Sequence, residues 1–260
     1  MRDIRLELAD LLGLPERARE SRRLTKKDIA AQWEQSAPAD ARLLTRAIAS
    51  AMIVGVLSPT TIGAPSFQDS DHRVDMIPIV SVRLADRTKP VERKRVAELL
   101  HRSMPRPAVV GLRVSDGVLF LSLALTHLSR ADQGMSVIEA HLVVPVNTVA
   151  SESLHVTRLA RSDLDALYRD LVRTTAADGV PATAALTAVD AVKLRQRLAE
   201  LQSELATAAR DAAREKAMQQ KIDINTRVRI LRTEIDRVRS SLYCASSSES
   251  QMTNEPKVEP

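Results

Sequence analysis

The spacing of apolar positions divides the chain into a mixed front part and a strongly periodic end. Ile4, Leu8, Leu11 and Leu12 recur at helical spacing, and Gly13 with Pro15 closes that segment. In residues 38–56, Leu43, Leu44, Ala47, Ile48, Ala51 and Met52 fall on one repeating face behind a proline, which predicts a core helix. Pro59, Gly63 and Pro65 in SPTTIGAP break it. Four runs rich in Val, Ile and Leu then read as strands, at 74–84, 108–114, 118–125 and 137–144. The SDG at 115–117 joins the middle two as a tight hairpin, because glycine takes the positive φ the turn needs. Between the first two strands, Val91, Val96, Leu99 and Leu100 are in helical phase. A weaker strand is expected at 154–159. The helix after it, capped by Ser162 or Asp163, places Leu164, Leu167, Tyr168 and Leu171 on one face.

The periodic end begins past a Gly- and Pro-bearing stretch, ADGVPATAA. Leu194, Leu198, Leu201, Leu205, Ala208 and Ala212 alternate steps of four and three, as do Ile224, Val228, Leu231, Ile235, Val238 and Leu242. Each set is a heptad seam, and the frame slips by two between them, around EKAMQQKIDIN, which predicts a kink or two separate packing partners. Such a stripe must be buried, and a partner protein or a second copy is expected to cover it in preference to the chain's own domain. The expected organisation is an α+β globular domain over 1–176, a mixed sheet packed with helices. A linker at 177–185, a coiled-coil helical arm at 186–243 and a disordered polar tail at 244–260 follow.

Composition narrows the chemistry. The 260 residues suffice for one good core and an appendage. Aromatics are only 2%, so the core must come from aliphatic residues, and a base-stacking platform for single strands is not expected. The 38 basic residues exceed the 33 acidic ones by five, a mild excess that permits phosphate contact without diagnosing it. The single cysteine, Cys244, fits a reducing compartment. The N-terminus does not read as a signal peptide and no apolar run approaches the length of a membrane span, so the expected location is the cytoplasm, with no membrane partner.

Most reactive constellations are missing from the sequence. There is no Gly-rich phosphate loop, no HExxH and no GxSxG, and the five histidines are far apart, so no cofactor or metal is expected. The basic stretch with Arg17, Arg19, Arg22, Arg23, Lys26 and Lys27 reads either as a solvated loop and helix start or as a patch facing phosphates or a partner. The stretch DSDHRVDMIPIVSVRLAD is the best candidate for catalysis. A two-acid-plus-lysine nuclease needs an acid before a strand, then an acid two residues ahead of a lysine, so that both carboxylates hold Mg²⁺. Asp71 or Asp75 would serve as the first acid. The second element reads Ser81-x-Arg83, with a neutral hydroxyl in place of the acid and a guanidinium too basic to accept a proton. The simpler reading keeps Asp69, Asp71 and Asp75 as solvated lead-in to a buried strand.

Several segments in order resemble a bacterial family known as domain of unknown function 4391. They are LGLP, RRLTKKDIA, GVLSPTTIGAPS, VDMIPIVSVRL, RSMPRPAVVGLRV and LDALYRDLVRT, together covering about residues 14–174. Members carry an acidic, lysine-bearing form of the strand beginning at Val74, from which this chain departs at Ser81 and Arg83. The resemblance implies a setting in bacterial defence islands, beside DNA methyltransferases and SNF2-type helicases. The expected function is therefore a non-catalytic accessory subunit of a DNA-targeting antiphage complex. It would dock on a helicase or methyltransferase through the heptad seam, with DNA as a further contact and Arg227, Arg229, Arg232, Arg237 and Arg239 on the seam's flanks. The alternatives are a Mg²⁺-dependent nuclease using Asp71, Asp75 and Arg83, and a homodimeric coiled-coil scaffold.

Overall fold

A computed structural model describes residues 4–70, 72–128, 136–180 and 185–243. Asp71, Cys244 and the tail lie outside them. The centre is a six-stranded sheet in the order β1-β2-β5-β6-β7-β8. Its strands are β1 (Arg19–Leu24), β2 (Ile48–Leu57), β5 (Ile77–Leu84), β6 (Val109–Arg113), β7 (Leu119–Leu128) and β8 (Ser136–Pro145). All neighbours are antiparallel except β5 and β6, which the helix α5 (Pro90–Arg102) links as a crossover. A small ribbon, β3 (Phe67–Gln68) with β4 (Arg73–Val74), precedes β5.

Helices cover both faces, so the expected α+β class with a mixed sheet holds. One face packs on α2 (Lys26–Glu34), α3 (Pro38–Ala47) and α5 through Val80, Val82, Leu84, Val110 and Leu112. The other packs on α1 (Ile4–Leu11) and α6 (Leu164–Ala176) through Ile77, Ile79, Val109, Leu121 and Leu123. Tyr168 fastens α6 there: its hydroxyl donates to the Ala108 or Ala124 carbonyl, at 2.9 and 3.0 Å, and accepts the Ala124 N–H. A one-turn helix, α4 (Pro59–Ile62), follows β2 with a Ser58 cap. The hairpin between β6 and β7 turns at Gly117, whose φ is 90°.

Several expectations change. The helix expected over 38–56 ends at Ala47, and the rest is β2. That strand lies between β1 and β5 with both faces covered, so its apolar residues run almost without interruption and mimic a helical stripe. The segment 154–159 makes no strand: it follows a 3₁₀ turn at Ser151–Leu154 and pairs only once, Val156 N–H to the Leu12 carbonyl at 2.9 Å. The basic stretch is neither loop nor helix start alone, because 19–24 forms β1, an exposed edge strand whose charged side chains keep the edge in water.

The heptad segment is helical over α7 (Ala188–Arg214) and α8 (Met218–Leu242), but the chain reverses at 215–217. The frame slip marks this reversal. Leu198, Leu201, Val228, Leu231, Ile235, Val238 and Leu242 are buried, and Leu194, Leu205 and Ile224 pack against them in the same apolar cluster as α1, α6 and the sheet. Arg197 to Glu234 at 2.7 Å and Arg227 to Glu204 at 3.3 Å tie the two helices across the seam. The seam is therefore covered within the chain, contrary to the expected partner-facing arm, because an antiparallel hairpin lets each stripe bury the other. Residues 177–180, expected as linker, form a packed turn in which Asp178 accepts from Arg195 at 2.5 Å and from the Tyr243 hydroxyl at 2.9 Å.

Candidate nucleic-acid interface

The two ends of β5 hold opposite electrostatic arrangements on this chain. Asp75 sits before the strand. Arg106 grips both of its carboxylate oxygens, and Arg73 approaches one of them to 3.3 Å. Burial alone would raise the Asp75 carboxyl, but the Arg106 hydrogen bond and charge, its own backbone N–H and Arg73 outweigh that and hold it below its ordinary value. Its lone pairs and charge are already engaged. Asp69 is likewise turned to its own loop, accepting the His72 N–H at 2.6 Å.

Arg83 is the penultimate residue of β5. About 20 Å of strand separates Ile77 from Arg83 at roughly 3.3 Å per residue. Asp75 and Arg83, paired in the nuclease alternative, therefore do not meet in one site. Among the described residues, no group of three or more His, Cys, Asp or Glu side chains is placed to hold a metal ion.

Register decides what surrounds Arg83 instead. Arg83 lies opposite Ser50 of β2 and alongside Arg113 of β6, and one row deeper Ser81 lies opposite Met52 and beside Gly111. Arg23 of β1 lies opposite Met52. Directly opposed residues share a sheet face. Arg23, Ser50, Met52, Ser81, Arg83 and Arg113 thus occupy one half of the face that α1 covers further down. The boundary is set at Gly111: Leu8 of α1 packs so closely there that an added Cβ would come within 2.9 Å of it. None of these six residues is acidic.

The arginines differ in their surroundings. Arg83 and Arg23 are exposed, and neither side chain forms an ion pair or hydrogen bond with the described residues. Arg113 is half-buried, donates to the Gly117 carbonyl at 2.6 Å, and is pulled below its ordinary value by burial. Ser81 is 2% exposed, and its hydroxyl has no hydrogen-bond partner among the described residues. Buried hydroxyls are rarely left so.

The other expected basic residues are dispersed. Arg17 donates to the Thr61 carbonyl, Arg19 pairs with Asp10 at 2.9 Å and also donates to the Leu14 carbonyl, and Arg22 faces Glu20 at 3.6 Å. Lys26 and Lys27 are exposed on the first turn of α2. Only Arg23 of that stretch joins the half-face with Arg83. Arg113 and Ser50 were not singled out from the sequence; the signal available was an arginine closing an otherwise apolar strand, GLRV, beside the similar SVRL.

A second polar cluster is buried on the opposite side. Ser122 bridges His101 and His141, with 2.9 Å to each Nε2. Burial, then the charge of His141, holds His101 well below its ordinary value, and burial brings His141 to about 4. Both are neutral core histidines near neutral pH.

Residues 12–235 match the family described as Domain of unknown function (DUF4391). The chain belongs to this family. No curated protein and no solved structure matches the chain. The family match extends through α7 and most of α8, beyond the part that carried the likeness in the sequence. No helix among the described residues is long and apolar enough to cross a membrane.

Proposed function

We propose that this DUF4391 chain is a non-catalytic accessory subunit of a bacterial DNA-targeting antiphage complex, docking on a helicase or DNA methyltransferase. The observation that carries the non-catalytic part is the geometry of β5: the acid is held by two arginines at one end, and Ser81-x-Arg83 stands at the other. A carboxylate already held by Arg106 and Arg73 is a poor Mg²⁺ ligand, and neither a serine nor an arginine replaces the missing acid and lysine. The defence setting rests on the family likeness.

The test is affinity purification of the full chain from its native bacterium, with an incubation of the purified protein with plasmid and Mg²⁺ beside it. A co-purifying helicase or methyltransferase and intact plasmid are expected. Mg²⁺-dependent cleavage lost in Asp75→Ala would overturn the non-catalytic reading, and a chain that purifies alone would overturn the accessory one.

A homodimeric scaffold is favoured by one observation. On α8, Met218 is 74%, Ile222 51% and Ile230 59% exposed, on the side away from the buried seam. Light scattering across a dilution series separates the readings: a dimer that Ile230→Glu dissociates supports the scaffold, and a monomer at every concentration removes it.

A further inference from the structure

We propose that the face formed by Arg23, Ser50, Ser81, Arg83 and Arg113 binds the sugar–phosphate backbone of duplex DNA without a metal ion. This deepens the accessory-subunit reading and rests on it only for the choice of DNA as the physiological ligand. Three arginines are brought to one half-face from β1, β5 and β6, sequence positions up to ninety apart. Their strands lie about 4.8 Å from one neighbour to the next, so they span roughly 14 Å from β1 to β6. That span suits several phosphates of one backbone and is wide for a single small anion.

Charge complementarity selects the occupant. None of the six residues named on this half-face is acidic, and among the described residues Arg83 and Arg23 have no carboxylate to neutralise them. This contrasts with most arginines elsewhere on the core, such as Arg46, Arg95, Arg106 and Arg169, each bound to an acid. Guanidinium presents paired N–H donors that match phosphate oxygens. The position is also the one that an open sheet offers to ligands, the carboxyl ends of the parallel pair β5 and β6.

The second, independent observation is Ser81. Its hydroxyl is buried directly behind Arg83 on the same face with no partner among the described residues, a polar group kept at a position where alanine or valine would pack without that cost. On approach of a phosphate, a shift of the flanking Met52 side chain gives this hydroxyl an acceptor. Ser50, half-buried opposite Arg83, offers a second hydroxyl donor.

Duplex is favoured over single strand because the face has no stacking platform. Trp33 and Tyr168 are buried in the core, and Phe120 packs on the opposite side beneath Arg93, 3.7 Å from its ring centroid. Single-strand binders gain much of their affinity from bases stacked on exposed aromatic rings.

The experiment uses the full chain with a short fluorescein-labelled DNA duplex in EDTA, read by anisotropy over a range of NaCl. Binding is expected to weaken steeply with salt. Arg83→Ala and Arg113→Ala are each expected to lower affinity about tenfold, as loss of one charge-assisted contact does, and to reduce the salt slope by about one. Arg83→Gln removes the charge but keeps an unbranched polar side chain at an exposed position and guards against misfolding, and Arg210→Ala on α7 controls for net charge.

Equal affinity of wild type and both face variants, or an equal loss in Arg210→Ala, would overturn the site, as would an absolute requirement for Mg²⁺. Tighter binding of a single strand of the same length would overturn the duplex assignment. Failure here leaves the co-purification result untouched, and Mg²⁺-dependent cleavage with salt-sensitive binding intact would remove the non-catalytic reading while keeping the site.

Discussion

The α7–α8 seam reads from the sequence as a surface for contact, whereas the arginine half-face shows there only as Arg23 in a basic stretch and as Ser81-x-Arg83 failing a nuclease pattern, and folding treats the two regions in opposite ways. The heptad stripes are the clearest periodic signal in the chain, yet Leu201, Ile235 and their neighbours are buried within it. The arginines on β5 and β6 make no periodic signal, yet Arg83 reaches solvent with no partner among the described residues. A hydrophobic stripe specifies that it must be covered and says nothing about by what. A charge left unmatched after folding is the more direct marker of something outside.

The sharpest way to break this contrast is to place a charge in the seam. Leu201→Asp should lower stability by about 4 kcal/mol or prevent folding, independent of protein concentration, because Leu201 is fully buried. A folded monomer losing only an oligomeric state, by chemical denaturation and light scattering, would return the seam to the outside.

Acid should loosen the opposite side of the sheet next. His101 and His141 titrate below their unfolded value of 6.5. The unfolded chain therefore takes up protons first, so stability is fully present above 6.5 and falls as pH drops toward about 4, by about 3 kcal/mol from His141 alone. Gln196 of α7 donates to the His141 carbonyl at 2.9 Å, so hairpin and β8 share this loss. A flat stability between those pH values in denaturant titrations would place the histidines in water.

Asp75→Asn tests the far end of β5. It should cost about 1–2 kcal/mol, since it leaves Arg106 without its bidentate acceptor. The Asp75 carboxyl is depressed in the fold, so its contribution is present above the ordinary value of 3.8 and lost as pH falls through the lower folded value. The variant should lack that acid limb.

The smallest effect sharpens the contrast most. Ser81→Ala should raise stability by about 0.5–1 kcal/mol, because it removes an unsatisfied buried hydroxyl. A loss of DNA affinity in the same variant would show that the fold accepts this cost at the half-face, and unchanged affinity would confine Ser81 to packing.

The legible parts of the fold are those whose information is local. The hairpin at Gly117, the crossover helix α5 and the cap at Asp163 each follow from a few neighbouring residues. β2 was not legible as a strand, because burial on both faces erases the alternation that marks one. The half-face was legible only in part: Ser81 and Arg83 stood out as failing an acid-x-Lys pattern, but their neighbours Arg113 and Arg23 arrive through the registers of β6 and β1. The grip of Arg106 on Asp75 spans 31 positions and joins two loops, so no spacing rule reveals it.

The Tyr168 hydroxyl has a kinetic corollary. Because the Ala124 amide is held by that phenol, its proton is released to solvent only when α6 lifts from the sheet. Deuterium uptake at Ala124 is thus a clock for the undocking of one helix, separable from the parting of the strands, and it ticks without any label being attached to the chain.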